Sequence, residues 1–207
     1  MTFNIINRVI KLELLNEIEV RTLLLNELNK IYGDCSNTRI INELGLENGA
    51  SRVDVAVVNG IMHGYEIKSD LDNLFRLPRQ MEYYNRAFER MTVVVGRKYV
   101  NEVRDIIPGW WGIKAVSKDQ SRLIEIRKGR KVSNQDPMLL IKLLWKKELE
   151  GFIDYIGLPK SYKKMRKNQL LSLLMKEAEI DVLKTYVYSV LKERENWRPN
   201  LNPKADL

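Results

Sequence analysis

A chain of 207 residues, 44% hydrophobic and 30% charged, can bury one core of roughly 100–150 residues plus a small appendage, which excludes a large multidomain assembly. Its 35 lysines and arginines against 27 acids leave a formal charge of +8, a balance that favours polyanionic partners, nucleic acid above all. The single cysteine, Cys35, and single histidine, His63, exclude an intramolecular disulfide and a Cys/His zinc site, so any metal must be held by oxygen. A reducing, cytoplasmic setting fits this cysteine usage. Charges at Lys11, Glu13, Glu17 and Glu19 interrupt the opening segment, which therefore lacks the apolar run of a signal peptide or membrane span, and the chain is expected to be soluble.

From about Val9 to Ile31 leucines and isoleucines recur at helical spacing, predicting an amphipathic helix that ends near Gly33. Three short stretches follow, Thr38–Leu44, Arg52–Val58 and Ile61–Lys68. The turns between them contain Gly49 and then Asn59-Gly60, which predicts an antiparallel meander. Pro78 suits the start of a helix running from near Leu77 to about Arg90. The apolar stretch Met91–Gly96 is reached through that helical crossover, so it should be a strand parallel to its neighbour and covered on both faces. Helix, three strands, helix, strand is thus the expected α/β core, a mixed sheet with its two helices on opposite sides.

Beyond it, KYVNEVRDII reads as a helix, and GIKAV and RLIEIRK as two more strands. Pro137 opens a helical region comprising MLLIKLLWKKELEGFIDYI, a basic connector KSYKKMRK, and helices near Gln169–Lys176 and Glu179–Glu195. A boundary near Asn134–Pro137 divides the chain into a core (1–134), a basic helical region (135–197) and a loose proline-containing tail (198–207).

The chemistry concentrates on the third strand. Residues two apart share a strand face, so Glu66 and Lys68 set a carboxylate beside an ammonium. Asp54, within the apolar run of the preceding strand, needs a partner or a metal, and the hairpin register places it roughly opposite Glu66 or Lys68. Two converging carboxylates suit a hard cation such as Mg²⁺ or Mn²⁺, and a nearby lysine suits phosphodiester hydrolysis. A plain Asp54–Lys68 ion pair is the alternative. Gln80 and Tyr84 share one helical face just past Pro78, where free N–H groups attract phosphate, and Arg76 and Arg79 add positive charge there.

Asp54 followed by Glu66-Ile67-Lys68 and Gln80-x-x-x-Tyr84 resembles the PD-(D/E)XK nuclease superfamily, in the branch that carries a QxxxY motif. The stretch from Asn37 to Ala115 is similar to the sce-type family of bacterial and phage PD-(D/E)XK-like proteins. The resemblance implies an αβββαβ restriction-endonuclease-like fold and a metal-dependent DNase; RNA as the substrate stays open, because no feature of the sequence reads the sugar. Asp54 and Glu66 would hold the metal, Lys68 would position water, and Gln80 and Tyr84 would align the substrate backbone. It also implies a further acid, for which Glu43 is preferred over Glu47, Glu17, Glu19 and Glu27. A homodimer would allow cleavage of both strands. The rival reading is a nuclease-like fold kept to bind DNA or protein, as in a phage or mobile-element regulator.

His63 is expected at the surface, and Trp110-Trp111 is expected to anchor the core. The run Lys160, Lys163, Lys164, Arg166 and Lys167 could contact phosphates, as could Arg127, Lys128, Arg130 and Lys131, or each could be a solvated charged face.

Overall fold

A computed structural model of the protein describes residues 14–195. The first helix, α1 (Glu17–Tyr32), starts later than its apolar pattern suggests. The Asn16 side chain accepts the Glu19 N–H at 3.1 Å and the Glu19 carboxylate accepts the Asn16 N–H at 2.8 Å. This reciprocal cap stops the helix there, leaving Leu14 to Asn16 non-helical; the expected turns before Leu14 lie outside the described residues. Val20, Leu24 and Leu28 form its buried stripe.

The sheet follows in the expected order. β1 (Arg39–Leu46), β2 (Ser51–Val58) and β3 (Met62–Lys68) form the antiparallel meander. α2 (Leu77–Ala87) then crosses to β4 (Arg90–Val95), which lies parallel to β3. A short 3-10 turn leads into α3 (Val100–Ile106), β5 (Gly112–Val116) pairs parallel to β4, and β6 (Leu123–Arg127) closes the sheet antiparallel to β5. The result is one six-stranded mixed sheet in the spatial order β1 to β6, built on an αβββαβ core. Because alternate strand residues point to opposite faces, it has two apolar layers. On one, α1 covers Val55, Val57, Tyr65, Ile67 and Val94. On the other, α2 and the later helices cover Ala56, Val58, Met62, Met91 and Val93. Truncating Leu24 to alanine in the first layer would cost about 2–5 kcal/mol.

The C-terminal region contains α4 (Pro137–Ile141), α5 (Lys146–Tyr155), α6 (Lys167–Glu177) and α7 (Ile180–Glu193), with the basic connector as a 3-10 turn before α6. The apolar run expected as one helix is two. Trp145 is extended, its N–H donates to the Glu148 carboxylate at 2.6 Å, and Arg194 clamps both Glu148 and the Leu143 carbonyl. Residues on both sides of position 134 share one buried cluster. Glu89, fully buried after α2, ties them together: its carboxylate accepts from the Met62 N–H, the Lys184 ammonium and the Tyr188 hydroxyl at 2.7–3.0 Å. Trp111 is buried as expected and donates to Asn85 of α2 at 2.8 Å. No helix of the described residues is long and apolar enough to cross a membrane.

His63 is not the surface residue expected. Its ring stacks on Tyr65, and its nitrogens lie 2.9 Å from the Thr92 hydroxyl and 3.0 Å from the Tyr65 hydroxyl. Burial, reinforced by Arg90 and Lys114, pushes its pKa down to about 3, so the folded protein holds it neutral. The unfolded chain takes up a proton below about pH 6.5, so this site withdraws stability as pH falls through that value. Acidification to pH 5 should therefore cost His63 roughly 2 kcal/mol that a His63→Gln variant does not lose, read from denaturant melts of both proteins at pH 7.5 and 5. Parallel losses in the two would show that the ring is charged in the folded state.

Candidate functional site

The site lies where β2 and β3 part. Their ladder runs from Val58–Met62 to Val55–Tyr65 and stops, while β1 and β2 remain paired out to Leu46–Ser51. The separation leaves backbone groups without ladder partners, and side chains take them up. The Asp54 carboxylate accepts the Ile67 N–H at 2.6 Å, and the Tyr84 hydroxyl lies 2.6 Å from the Arg52 carbonyl. The cleft between the parted strands lies near the carboxyl end of β3, beside parallel β4, the end at which open α/β sheets place ligands.

Glu66 and Lys68 project into this cleft on one face, as their spacing requires. Glu66 is 1% exposed and Lys68 5%, and their oxygen and nitrogen stand 2.5 Å apart. Removing either partner of such a buried pair costs about 3–5 kcal/mol, because the other charge is left stranded. α2 supplies the remaining contacts. Gln80 accepts from the Lys68 ammonium at 3.2 Å and donates to the Tyr84 hydroxyl at 3.3 Å, and that hydroxyl lies 2.8 Å from the second Glu66 oxygen. Burial and the neighbouring Glu66 charge raise the Tyr84 pKa far beyond the ordinary tyrosine range, so the phenol keeps its proton. Gln80 and Tyr84 were expected to face the substrate. Both instead turn inward and fix Glu66 and Lys68, and Tyr84 is fully buried.

A second acidic group adjoins the first. Pairing of Asn42 with Val55 and of Leu44 with Val53 sets Glu43 across from Asp54. Glu43 has φ +56°, rare for a residue with a side chain, and the inward alternation of β1 changes phase there, from Ile41 to Leu44 and Leu46. Carboxylate oxygens of Glu17, Glu43 and Asp54 lie within 4.8 Å of one another. Among the acids considered for a third role, Glu43 and Glu17 thus reach Asp54. Glu19 caps α1, Glu27 pairs with Lys114, and Glu47 pairs with Lys142.

Arg21 of α1, which sequence reasoning missed, sits among these acids. Its guanidinium lies 2.6 Å from Glu17, 2.6 Å from Glu43 and 3.3 Å from the Asp54 carboxylate, and donates to the Asp54 carbonyl at 2.9 Å. The only hint in the sequence is Glu17–Arg21 at helical i,i+4 spacing.

Of the predicted phosphate contacts, Arg76 and Arg79 are exposed around the start of α2, which has no side-chain cap. Lys164 and Arg166 are exposed and Lys167 half-buried at the start of α6, whereas Lys163 is engaged with Asp154. Arg127 is spent on the Trp111 and Pro108 carbonyls.

Residues 10–201 match the family described as Bacteriophage P4 protein cII. Protein cII of Enterobacteria phage P4 is 32% identical over 184 residues, spanning 88% of this chain and 69% of that protein. Among solved structures, a protein of unknown function from Silicibacter pomeroyi aligns over 90% of this chain and 97% of its own, with 12% identity and a TM-score of 0.44.

Burial and the adjacent Glu66 push the Asp54 pKa up to about 8, against the opposing Ile67 N–H, Arg21 and Lys68. The folded protein therefore keeps a proton that the unfolded chain loses near pH 4, and stability falls as pH rises from there toward 8. In EDTA, Asp54→Asn should raise the melting temperature at pH 7.5, by a gain on the order of a few kcal/mol that vanishes near pH 4. Equal melting of both proteins at pH 7.5 would mean that Arg21 already compensates a full negative charge at Asp54.

Proposed function

The chain belongs to the bacteriophage P4 protein cII family, and we propose that it is a divalent-metal-dependent nuclease acting on the phosphodiester bonds of DNA. The observation that carries this reading is the hydrogen-bonded network of Glu66, Lys68, Gln80 and Tyr84, with the Asp54 carboxylate bonded to the backbone of Ile67 between Glu66 and Lys68. These residues come from three different elements and have the chemistry of the PD-(D/E)XK nucleases that the sequence resembles.

The residues fit a hard cation. The donor set is all oxygen, and burial together with the adjacent Glu66 charge keeps a proton on Asp54, a proton that a divalent ion would displace. Asp54 and Glu66 would hold Mg²⁺ or Mn²⁺, with Glu43 as the further acid; such an ion polarises a phosphoryl oxygen and acidifies bound water. The protein's own part is positioning. Lys68 carries the positive charge that orients the attacking water or offsets charge growing on phosphorus, and Gln80 and Tyr84 hold Lys68 and Glu66 in place. Exposed Arg76 and Arg79, with the basic start of α6, supply phosphate affinity. RNA remains within the same chemistry, and a homodimer would serve cleavage of two strands.

A second reading has its own observation. Arg21 pairs with Glu17, Arg52 pairs with Glu43, Lys68 pairs with Glu66, and Asp54 keeps its proton, so the cleft is charge-balanced without a cation. That state suits a phage regulator that binds DNA or protein and cuts nothing.

The two readings separate when linear, circular and single-stranded DNA are incubated with Mg²⁺, Mn²⁺ or EDTA. Cutting is expected only with the metals, and Asp54→Asn should lower it about 10²–10³-fold, the usual loss on removing one charge-stabilising group. Because that variant is expected to be the more stable protein, lost cutting cannot be ascribed to unfolding. Tight binding of DNA left intact in either metal would support the regulator and overturn the nuclease.

A further inference from the structure

The segment 69–76 joins Lys68 at the end of β3 to the start of α2, so both of its ends border the cleft. Its polar groups fold back on themselves. The Ser69 N–H and hydroxyl both donate to Asp72 at 2.8 and 2.7 Å, the Leu71 N–H donates to the Ser69 hydroxyl at 3.3 Å, and the Phe75 N–H donates to Asn73 at 3.2 Å. The Tyr99 hydroxyl donates to the Asp72 carbonyl, Leu74 is buried, and Asp70 packs so closely on Gly96 that a side chain there would collide with it.

This well-braced loop holds two large apolar side chains in water. Leu71 is 62% exposed and Phe75 90%, the greatest exposure of any large hydrophobic side chain among the described residues. Around them the surface is basic. Arg76, Arg79 and Arg97 are exposed and have no ion-pair partner among the described residues, while Asp72 accepts from Ser69 within the loop and Asp70 accepts from the Lys98 N–H.

We propose that this loop is a stacking platform for unpaired bases of single-stranded DNA, with Phe75 against a base and Arg76 and Arg79 on flanking phosphates. A rigid aromatic presented among uncompensated arginines matches a ligand that alternates flat π-faces with negative charge. A duplex hides its base faces, so only an unpaired strand offers both. The location beside Lys68 and Gln80 rests on the nuclease reading, since it would feed a single strand to that cleft; the binding itself does not.

The test is equilibrium binding of the full chain, in EDTA, to a fluorescein-labelled oligo-dT and to a blunt mixed-sequence duplex. Phe75→Ala should weaken oligo-dT binding about tenfold, Phe75→Trp should restore it, and duplex binding should move by less than about twofold in both. Gly96→Ala, which displaces the loop through Asp70, should reproduce the single-strand defect with Phe75 intact. Oligo-dT affinity unchanged in Phe75→Ala, or an equal loss on both DNAs, would overturn the proposal. So would concentration-dependent self-association in sedimentation that Phe75→Ala abolishes while DNA binding stays intact, which would make the loop a protein contact. Because no divalent ion is present, a chain that never cuts DNA can still bind through Phe75, and one that cuts can still ignore it.

Discussion

The buried ion pair between Glu66 and Lys68 is the constraint around which the rest of the cleft is arranged. Two opposite charges taken out of water on one strand face are tolerable only if every remaining oxygen and proton finds a partner. Here Tyr84 serves the second Glu66 oxygen, Gln80 serves the Lys68 ammonium, and the two α2 side chains bond each other. The direction of α2 across the sheet is therefore coupled to the charge state of β3. Trp111, bonded to Asn85 and tilted against Tyr84, secures that helix from the far side.

The parting of β2 from β3 produces the cleft and determines what Asp54 does in it. A continuous ladder would have consumed the Ile67 N–H and the Arg52 carbonyl in backbone pairing. Where the strands separate, the Asp54 carboxylate and the Tyr84 phenol take up those backbone groups. The left-handed backbone at Glu43 belongs to the same deformation, because it lets β1 follow β2 away from β3 while returning Leu44 and Leu46 to the core.

Charge balance then divides the cleft in two. Lys68 answers Glu66 on the α2 side, and Arg21 answers Asp54, Glu43 and Glu17 on the α1 side. Asp54 lies between these halves, buried near Glu66 and only loosely held by Arg21. In it burial and like-charge repulsion outweigh the nearby cations. α1 thus acts on Asp54 directly through Arg21, while α2 fixes the Glu66–Lys68 pair beside it, so helices on opposite sides of the sheet serve the chemistry as well as the core.

Local patterns in the chain were sufficient for much of this. Asn59-Gly60 specified the hairpin, Pro78 marked the start of α2, and the two-residue interval between Glu66 and Lys68 put both on one strand face. Each follows from a backbone period or a dihedral preference acting within a few residues. Helix limits were less legible where a side-chain cap overrode periodicity, as at Asn16 and Trp145. Contacts between distant positions were not legible. Arg21 meets Asp54 across 33 positions and Glu89 meets Tyr188 across 99, and neither arginine nor glutamate carries a local sign of its partner. Likewise, Gln80 and Tyr84 share a helical face by spacing alone, but whether that face looks toward solvent or toward Glu66 depends on how α2 lies against β3. Sequence by itself determined the elements, their order and the residues that share a face, because those follow from short-range geometry. Only the tertiary structure decided which charges neutralise which, because that depends on where the strands diverge and how each helix crosses the sheet.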